Sequence, residues 1–281
     1  MTSHQGDSAR EYLVIEAGRA ERNYWSDLWR YRELFYFLAW RDLLVRYKQT
    51  VLGVAWAFIR PLLTMLVFTL VFGKLAGLPS EGLPYPLFVL AALLPWQLFA
   101  TAFAESGNSL VSNASLISKV YFPRLVVPAS GILVSLVDFA ISLALFGAMC
   151  VYYGFMPGWQ ILTLPLFTLL ALAAALSCGI WTAALNVKYR DVRFVLPFVV
   201  QIGLYASPVG FSSSLVPEQW RLVYSLNPMV GVIDGFRWAI SGGRATLYFP
   251  GLLLSIAIIS IVMTAGVRYF RRTEKTFADV I

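Results

Sequence analysis

Residues 27–72 read DLWRYRELFYFLAWRDLLVRYKQTVLGVAWAFIRPLLTMLVFTLVF, a basic, aromatic segment that passes without a turn signal into an apolar run. On a helix Trp29, Trp40 and Tyr47 fall within about 20° of one another. Aromatic rings on one side and cations on another are typical of a helix that lies in a membrane surface. The apolar run is long enough to cross a hydrocarbon layer about 30 Å thick. The stretch therefore predicts an interfacial helix over 27–48 followed by a membrane-spanning helix, with a long soluble core helix as the alternative.

The composition extends this interpretation to the whole chain. Of its 281 residues, 59% are hydrophobic and 13% are charged, whereas soluble domains are about half apolar and about a quarter charged. We expect an all-α polytopic membrane protein without a cleavable signal, because the first residues are charged and lack an apolar core. The net charge of +7 does not imply nucleic acid, since the cations cluster beside apolar runs. Cys150, Cys178 and His4 are isolated, so we expect neither a disulfide framework nor a metal site.

Six apolar runs organise the chain. We predict a cytoplasmic tail over 1–24, a single transmembrane domain over 25–275 and a second tail over 276–281. The predicted spans are 51–73, 85–104, 125–153, 161–185, 194–211 and 247–267. An even number of spans places both termini on one side, and most Lys and Arg residues outside the spans lie on that side. Both termini are therefore predicted to be cytoplasmic.

Several predicted spans align aromatic side chains on one face. The rings of the second span share an arc of about 80° at 100° per residue, and the third span aligns Ser135, Phe139, Ser142, Phe146 and Tyr153. Aromatic faces stack on sugar rings while polar side chains bind their hydroxyls, so such stripes would suit a sugar channel. Ordinary helix packing or lipid contact is the alternative. The candidate channel-lining residues are Tyr85, Phe88, Trp96, Phe99, Phe103, Phe194, Phe198, Gln201 and Tyr205.

Arg60 and Asp138 are the two ionised side chains well inside the predicted spans. Charge within a membrane is costly and usually faces a partner or water. Counted from the cytoplasmic ends of their spans, the two residues differ in depth by about 6 Å. We hypothesise an Arg60–Asp138 pair or a shared hydrated site. Alternatively, Arg60 extends to the membrane surface and Asp138 bonds to a neighbouring hydroxyl.

The segment 105–124 is longer than a connection requires. Residues 109–119 are predicted to form a short amphipathic helix, with Leu110, Leu116 and Ile117 available to pack on a partner. No G-x-x-x-x-G-K-[ST], G-x-S-x-G or H-E-x-x-H motif occurs in the chain, and so we expect neither an ATP site nor an enzymatic centre.

Four stretches together resemble one family: RELFYFLAWRDLLVRYKQTVLGVAWAFIRPLL (32–63), NASLISKVYFPRLVVP (113–128), NVKYRDVRFVLPF (186–198) and LNPMVGVIDGFRWAI (226–240). The chain resembles the membrane subunits of bacterial polysaccharide ABC exporters, which are ABC-2 type permeases that export O-antigen, teichoic acid or capsule chains. The match spans most of residues 28–270. Arg60 looks less typical of the family.

The resemblance implies a homodimer in the bacterial inner membrane, joined to two copies of a nucleotide-binding ATPase that holds ATP and Mg. The substrate would be a polysaccharide, O-antigen foremost, on undecaprenyl diphosphate, moving through a channel between the protomers. Membrane lipids would be further partners. Short helices over 217–241 would re-enter the membrane from the periplasm, between spans 5 and 6. Coupling to the ATPase would involve Asn108, Ser109, Leu110, Asn113, Leu116, Ile117 and Lys119, and a periplasmic gate would involve Trp220, Tyr224, Asn227 and Pro228.

Cations at the cytoplasmic entrance are placed to attract a lipid diphosphate, because guanidinium groups bind phosphate in a fork. The alternative is that they only set the topology. The candidates are Arg41, Arg46, Lys48, Arg190 and Arg193.

Two other functions fit the sequence less closely. One is an ABC-2 permease for a small hydrophobic drug or lipid, with a lipid-facing cleft. The other is a polytopic membrane glycosyltransferase, which needs acidic catalytic residues at a membrane face. The carboxylates of this chain form no cluster in sequence that would serve that chemistry.

Overall fold

The computed structural model describes residues 24–48, 51–120, 122–189 and 191–277, and these residues form helices with no strand among them. The predicted tails over 1–24 and 276–281 fall almost wholly outside the described residues. Five helices are long and apolar enough to cross a membrane: Ala55–Leu75, Tyr85–Ser112, Val126–Tyr152, Trp159–Lys188 and Phe249–Thr273. The all-α prediction is therefore confirmed, with five candidate spans by length where the sequence predicted six.

The helices follow the predicted order with shifted ends. They are α1 (Tyr24–Arg30), α2 (Arg32–Tyr47), α3 (Val51–Phe68), α4 (Tyr85–Ser112), α5 (Ala114–Ile117), α6 (Val126–Tyr152), α7 (Leu164–Lys188), α8 (Val192–Ala206), α9 (Glu218–Tyr224), α10 (Pro228–Ile240) and α11 (Phe249–Thr273). A π-helical turn, Thr69–Leu75, continues α3, and 3₁₀ turns occupy Trp159–Thr163, Ser213–Leu215 and Glu274–Thr276. The predicted interfacial helix is thus two helices that meet at Tyr31.

Helix α4 is the centre of the bundle. It is buried along most of its length and packs against α6, α7, α8 and α10. Alanines of α7, including Ala171, Ala174 and Ala175, are fully buried. Small side chains let two helices approach closely, and close approach increases the number of van der Waals contacts between them. The α4–α7 contact is therefore the core of the fold.

Helix α8 is shorter than the predicted fifth span. Its 15 residues extend about 22 Å at 1.5 Å per residue, less than the ~30 Å of a hydrocarbon core. The chain nevertheless runs antiparallel along α4. An added Cβ at Gly203 would lie 2.6 Å from the Trp96 ring, and the Tyr85 hydroxyl donates to the carbonyl of Gly210 at 2.5 Å. Residues 192–210 therefore follow α4 back to its first residue.

The two ends of the described chain meet at one end of the bundle. Tyr24 donates a hydrogen bond to Glu274 at 3.2 Å, and Arg124 donates to the Glu274 carbonyl. Around them, side chains from α4, α6, α7 and α11 form one apolar cluster. Burial raises the pKa of Glu274, against the lowering effects of Tyr24 and Arg124. We call this end of the bundle the terminal end and the opposite one the distal end.

The distal end contains the two short helices predicted within 217–241. Asn227 caps α10 by accepting a hydrogen bond from the Met229 amide at 3.1 Å, and Pro228 occupies the first turn, where its missing N–H costs nothing. Helix α10 is buried against α4, α7 and α11.

Candidate functional site

A cavity of about 390 Å³ lies between α3, α4 and α6, beside the end of α2 and Leu204 of α8. Its apolar wall includes the indole rings of Trp56 and Trp96. Its polar wall includes two cations, a carboxylate, an amide and five hydroxyls, and these side chains are Arg46, Tyr47, Arg60, Thr64, Gln97, Thr101, Ser135, Asp138 and Ser142. An apolar wall with a few polar groups is the usual composition of a small-molecule site.

Helical periodicity explains why α6 supplies so many of these groups. Ser135, Asp138, Phe139 and Ser142 recur at spacings of three and four residues, which places them on one face of a helix. All four line the cavity. The serine and phenylalanine positions are part of the stripe that the sequence aligned on this span, whereas Phe146, farther along the same stripe, is buried in the core.

An ion-pair network lies in the wall of the cavity where α2 meets α4 and α6. Arg46 binds Asp138 at 2.7 Å and Glu105 at 2.9 Å, and the Tyr47 hydroxyl also donates to Asp138. Burial, followed by the hydrogen bond to Asp138, raises the pKa of Tyr47 to about 12. The network joins the surface helix α2 to α4 and α6, because each of the three helices contributes a side chain.

The hypothesised Arg60–Asp138 pair does not form. Asp138 binds Arg46 and Tyr47 instead, and no described acidic side chain lies within ion-pair distance of Arg60. Both residues line the same cavity, as the alternative of a shared site anticipated. The cation that reaches Asp138 comes from α2, a helix that the comparison of depths did not include.

The candidate phosphate-binding cations divide into paired and exposed ones. Arg41 binds Asp42 at 2.6 Å and donates to Asn113 at 2.5 Å, and Arg46 belongs to the network above. Lys48 and Arg193 are exposed, and the Arg193 guanidinium lies 4.8 Å from the Phe194 ring centroid. Arg190 lies outside the described residues.

The predicted channel aromatics fall into two groups. Phe88, Trp96 and Phe103 of α4 are buried within the protomer, so the prediction that Phe88 and Phe103 line an open channel is wrong for this protomer. Trp96 lines the cavity, and Tyr85 and Phe99 are partly buried around the same core. The four predicted residues of α8 are all exposed, and they are Phe194, Phe198, Gln201 and Tyr205.

The predicted coupling residues mostly face inward. Helix α4 extends through Ser112, so the first part of the segment is a continuation of a spanning helix and not a separate one. Leu110 and Ile117 are buried in the apolar cluster of the terminal end, which contradicts the prediction that they pack on a partner; Leu116 packs against that cluster as well. The remaining residues are the buried Ser109 and Asn113, the partly buried Asn108 and the exposed Lys119.

The exposed face of this segment carries other residues. Val111 and Val120 are 42% and 50% exposed, and Ser112, Ser115 and Lys119 are exposed beside them. Val111 could have been identified by extending the helical periodicity of α4 beyond the predicted end of the span. It lies on the face opposite the buried Ser109 and Leu110.

The predicted gate residues surround a buried polar cluster that sequence reasoning missed. Trp220 is 56% exposed, the hydroxyl of Tyr224 is buried without a partner among the described residues, and Asn227 and Pro228 form the α10 cap. Arg237 lies outside the six predicted spans, yet its side chain is 1% exposed. The apolar sequence flanking it, FRWAI, was the available signal.

Arg237 holds the chain after α8 in place. Its guanidinium donates to the carbonyls of Phe211 at 2.8 Å and Val209 at 2.9 Å, and it lies 3.7 Å from the Phe88 ring centroid. Asp234, one turn earlier, accepts a hydrogen bond from Ser213 at 2.7 Å. Burial raises the pKa of Asp234 to about 7, although Ser213 and Arg237 act in the opposite direction.

Comparison with known proteins shows a consistent set of relatives. The family model described as ABC-2 type transporter matches residues 33–241. The O-antigen export system permease protein RfbA of Myxococcus xanthus is 30% identical over 91% of this chain and 98% of its own length. A protein of the same name from Klebsiella pneumoniae is 26% identical over 86% of this chain and 92% of its own length. The polysialic acid transport protein KpsM of Escherichia coli is 24% identical over 84% of this chain and 91% of its own length.

Proposed function

Because this chain belongs to the ABC-2 type transporter membrane family, we propose that it is the permease subunit of an ATP-driven exporter of O-antigen polysaccharide. The substrate is a glycan on undecaprenyl diphosphate, and it moves from the cytoplasm to the periplasm. The observation that carries the proposal is the similarity to the Myxococcus xanthus permease over 98% of that protein's length. The nucleotide is bound and hydrolysed by a separate subunit, with ATP and Mg held there.

The proposed topology has six crossings in the inner membrane, with both termini cytoplasmic. Support for the sixth crossing comes from residues 192–210, which follow α4 from the level of Phe103 to Tyr85 and so cover the depth that α8 alone does not. The meeting of Tyr24 with Glu274 supports placing both ends of the chain on one side. Assigning that side to the cytoplasm follows from its excess of Lys and Arg.

Helix α8 supports a homodimer with the channel between protomers. Most of its side chains are exposed, including Phe198 at 62% and Tyr205 at 61%, while Leu196 is buried. The exposed polar Gln201 interrupts this aromatic face, and a polar side chain in a membrane favours a protein or water contact over lipid. The α8 face is therefore the proposed wall of the glycan channel, in place of the buried rings of α4.

The terminal end supports coupling to two ATPase subunits. Arg41 of α2 donates a hydrogen bond to Asn113 just after α4. The surface helix therefore contacts the segment that would transmit movement of the ATPase to the spans. The exposed Val111, Ser115 and Lys119 are the proposed ATPase contact. Helices α9 and α10 form the proposed periplasmic restriction, entering the membrane from outside.

Deletion of the gene tests the proposal. Loss of surface O-antigen, with lipid-linked glycan retained in the cytoplasm, is the expected result. An unchanged surface glycan would refute O-antigen export. Accumulation of a small hydrophobic compound instead of the glycan would identify the drug or lipid permease.

A paired substitution tests the channel wall separately. We expect Gln201→Leu to reduce export, because it removes the polar group from the α8 face. Leu253→Ala is the matched control, since Leu253 is 67% exposed on α11, outside the proposed wall. Equal export by both variants would exclude the α8 face as the wall while leaving the exporter assignment intact.

A further inference from the structure

The wall of the cavity between α3, α4 and α6 includes two polar side chains, Ser135 and Arg60, that have no side-chain partner among the described residues. Ser135 is fully buried and its hydroxyl has no hydrogen-bond partner among the described residues. Most buried hydroxyls in proteins are hydrogen-bonded. Ser135 belongs to the wall of the cavity, and rotation about its χ1 bond would bring the hydroxyl to a ligand or water there.

The second group is the guanidinium of Arg60, whose side chain is exposed. The charge of Arg46 is offset by Asp138 and Glu105 at 2.7 and 2.9 Å. Arg60 lines the same cavity with no such carboxylate within ion-pair distance in the described part of the chain. Among the described residues, Arg60 is therefore the cation of the cavity wall that has no carboxylate partner, and its guanidinium would favour an anion that accepts a forked hydrogen bond.

The remaining wall suits a sugar. Trp56, which is 57% exposed, presents its indole ring, and Gln97 and Thr101 present side-chain polar groups, within a volume of about 390 Å³. This volume is in the range of about 300–1,000 Å³ typical of small-ligand sites, which is enough for one or two sugar rings and too small for a polysaccharide.

We propose that this cavity binds a sugar phosphate, with Arg60 on the phosphate, Ser135 on a sugar hydroxyl and an indole against the sugar ring. If the chain exports a lipid-linked glycan, as proposed above, the ligand is the phosphate-linked sugar of that glycan. The site is distinct from the α8 face, since it lies within one protomer. The cavity binds the phosphate-linked first sugar of the glycan, while the α8 face accommodates the remaining sugars.

Binding is measured on the permease assembled with its ATPase in lipid nanodiscs, by saturation-transfer NMR and calorimetry. The probes are hexose 1-phosphates, the matching free hexoses and inorganic phosphate. We expect the sugar phosphate to bind more tightly than either fragment. Equal binding of inorganic phosphate alone would overturn the sugar assignment.

The variants are Arg60→Gln and Ser135→Ala, with Lys74→Gln as the control. Lys74 is an exposed cation in the turn that continues α3, outside the cavity. We expect Arg60→Gln to weaken sugar phosphate binding tenfold or more, Ser135→Ala to weaken it about three- to tenfold, the loss of one hydrogen bond, and Lys74→Gln to change nothing. Wild-type affinity in Arg60→Gln would overturn the proposal.

Two further measurements fix the source of the ligand and separate this inference from the proposed function. A polyprenyl-diphosphate-linked sugar displaces the hexose 1-phosphate if the lipid-borne glycan is the ligand, and failure to displace it would overturn that assignment. In cells, loss of surface glycan on gene deletion combined with full export by Arg60→Gln would leave the exporter standing and refute the role of the cavity. Unchanged surface glycan on deletion would refute the exporter itself.

Discussion

Arg237 offers the sharpest test of how the distal end is held together. Replacing it with Met keeps an unbranched side chain of similar length and removes the donors. The carbonyls of Val209 and Phe211 then lose their bonds to the guanidinium, and Asp234 loses a nearby compensating charge.

The expected size follows from these contacts. Each buried carbonyl left unpaired costs about 1–3 kcal/mol, and a desolvated cation–π contact such as that with Phe88 contributes about 2 kcal/mol. Burial of the guanidinium itself costs several kcal/mol, which the substitution recovers. We therefore expect Arg237→Met to lower the free energy of unfolding by about 2–4 kcal/mol, with the desolvation of the cation offsetting part of the lost contacts.

Thermal unfolding of the purified protein in detergent, followed by intrinsic fluorescence, provides the assay. Arg244→Gln is the control, because Arg244 is exposed on the same side of the molecule, and its substitution should change stability by less than about 0.5 kcal/mol. Adding Asp234→Asn to Arg237→Met should restore part of the loss, since the buried carboxyl is then neutral. If Arg237→Met unfolds at the wild-type temperature, the guanidinium does not organise this end.

Three further predictions use the same unfolding assay. Asn227→Ala removes the α10 cap and should cost about 1 kcal/mol, whereas Asn227→Asp, which retains a capping oxygen, should cost less; equal losses would contradict a capping role. Gly203→Ala should cost about 1–3 kcal/mol because its Cβ would lie 2.6 Å from the buried Trp96 ring, while Gly147→Ala, with open space at its Cβ, should be neutral or stabilising. Because the pKa of Asp234 is raised to about 7 in the folded protein, its contribution to stability is complete below its unfolded pKa near 4 and is lost as the pH rises through about 7. Asp234→Asn should remove that decline between pH 4 and 7, and an unaltered pH profile would show that this carboxyl does not titrate there.

The sequence alone determined the class of the protein and the order of its helices. Runs of apolar residues longer than a bilayer is thick admit few structures other than spanning helices, because every backbone polar group must be satisfied inside the segment. The two short helices after α8 were expected from the family resemblance, and prolines stand where they begin: Pro217 at the N-cap of α9 and Pro228 at the first residue of α10. These properties depend on local sequence and on length.

The tertiary structure decided which side chains face one another. Phe88 and Phe198 look alike in sequence as rings on aligned faces, yet one is fully buried and the other is 62% exposed. Asp138 is paired with Arg46 and not with Arg60, and Arg237 is buried although it lies outside the predicted spans. Apolar residues occupy most faces of a spanning helix, so hydrophobicity alone does not set its rotation. Packing against α4 sets it, and that rotation determines which side chains line the cavity and which stay exposed for a partner.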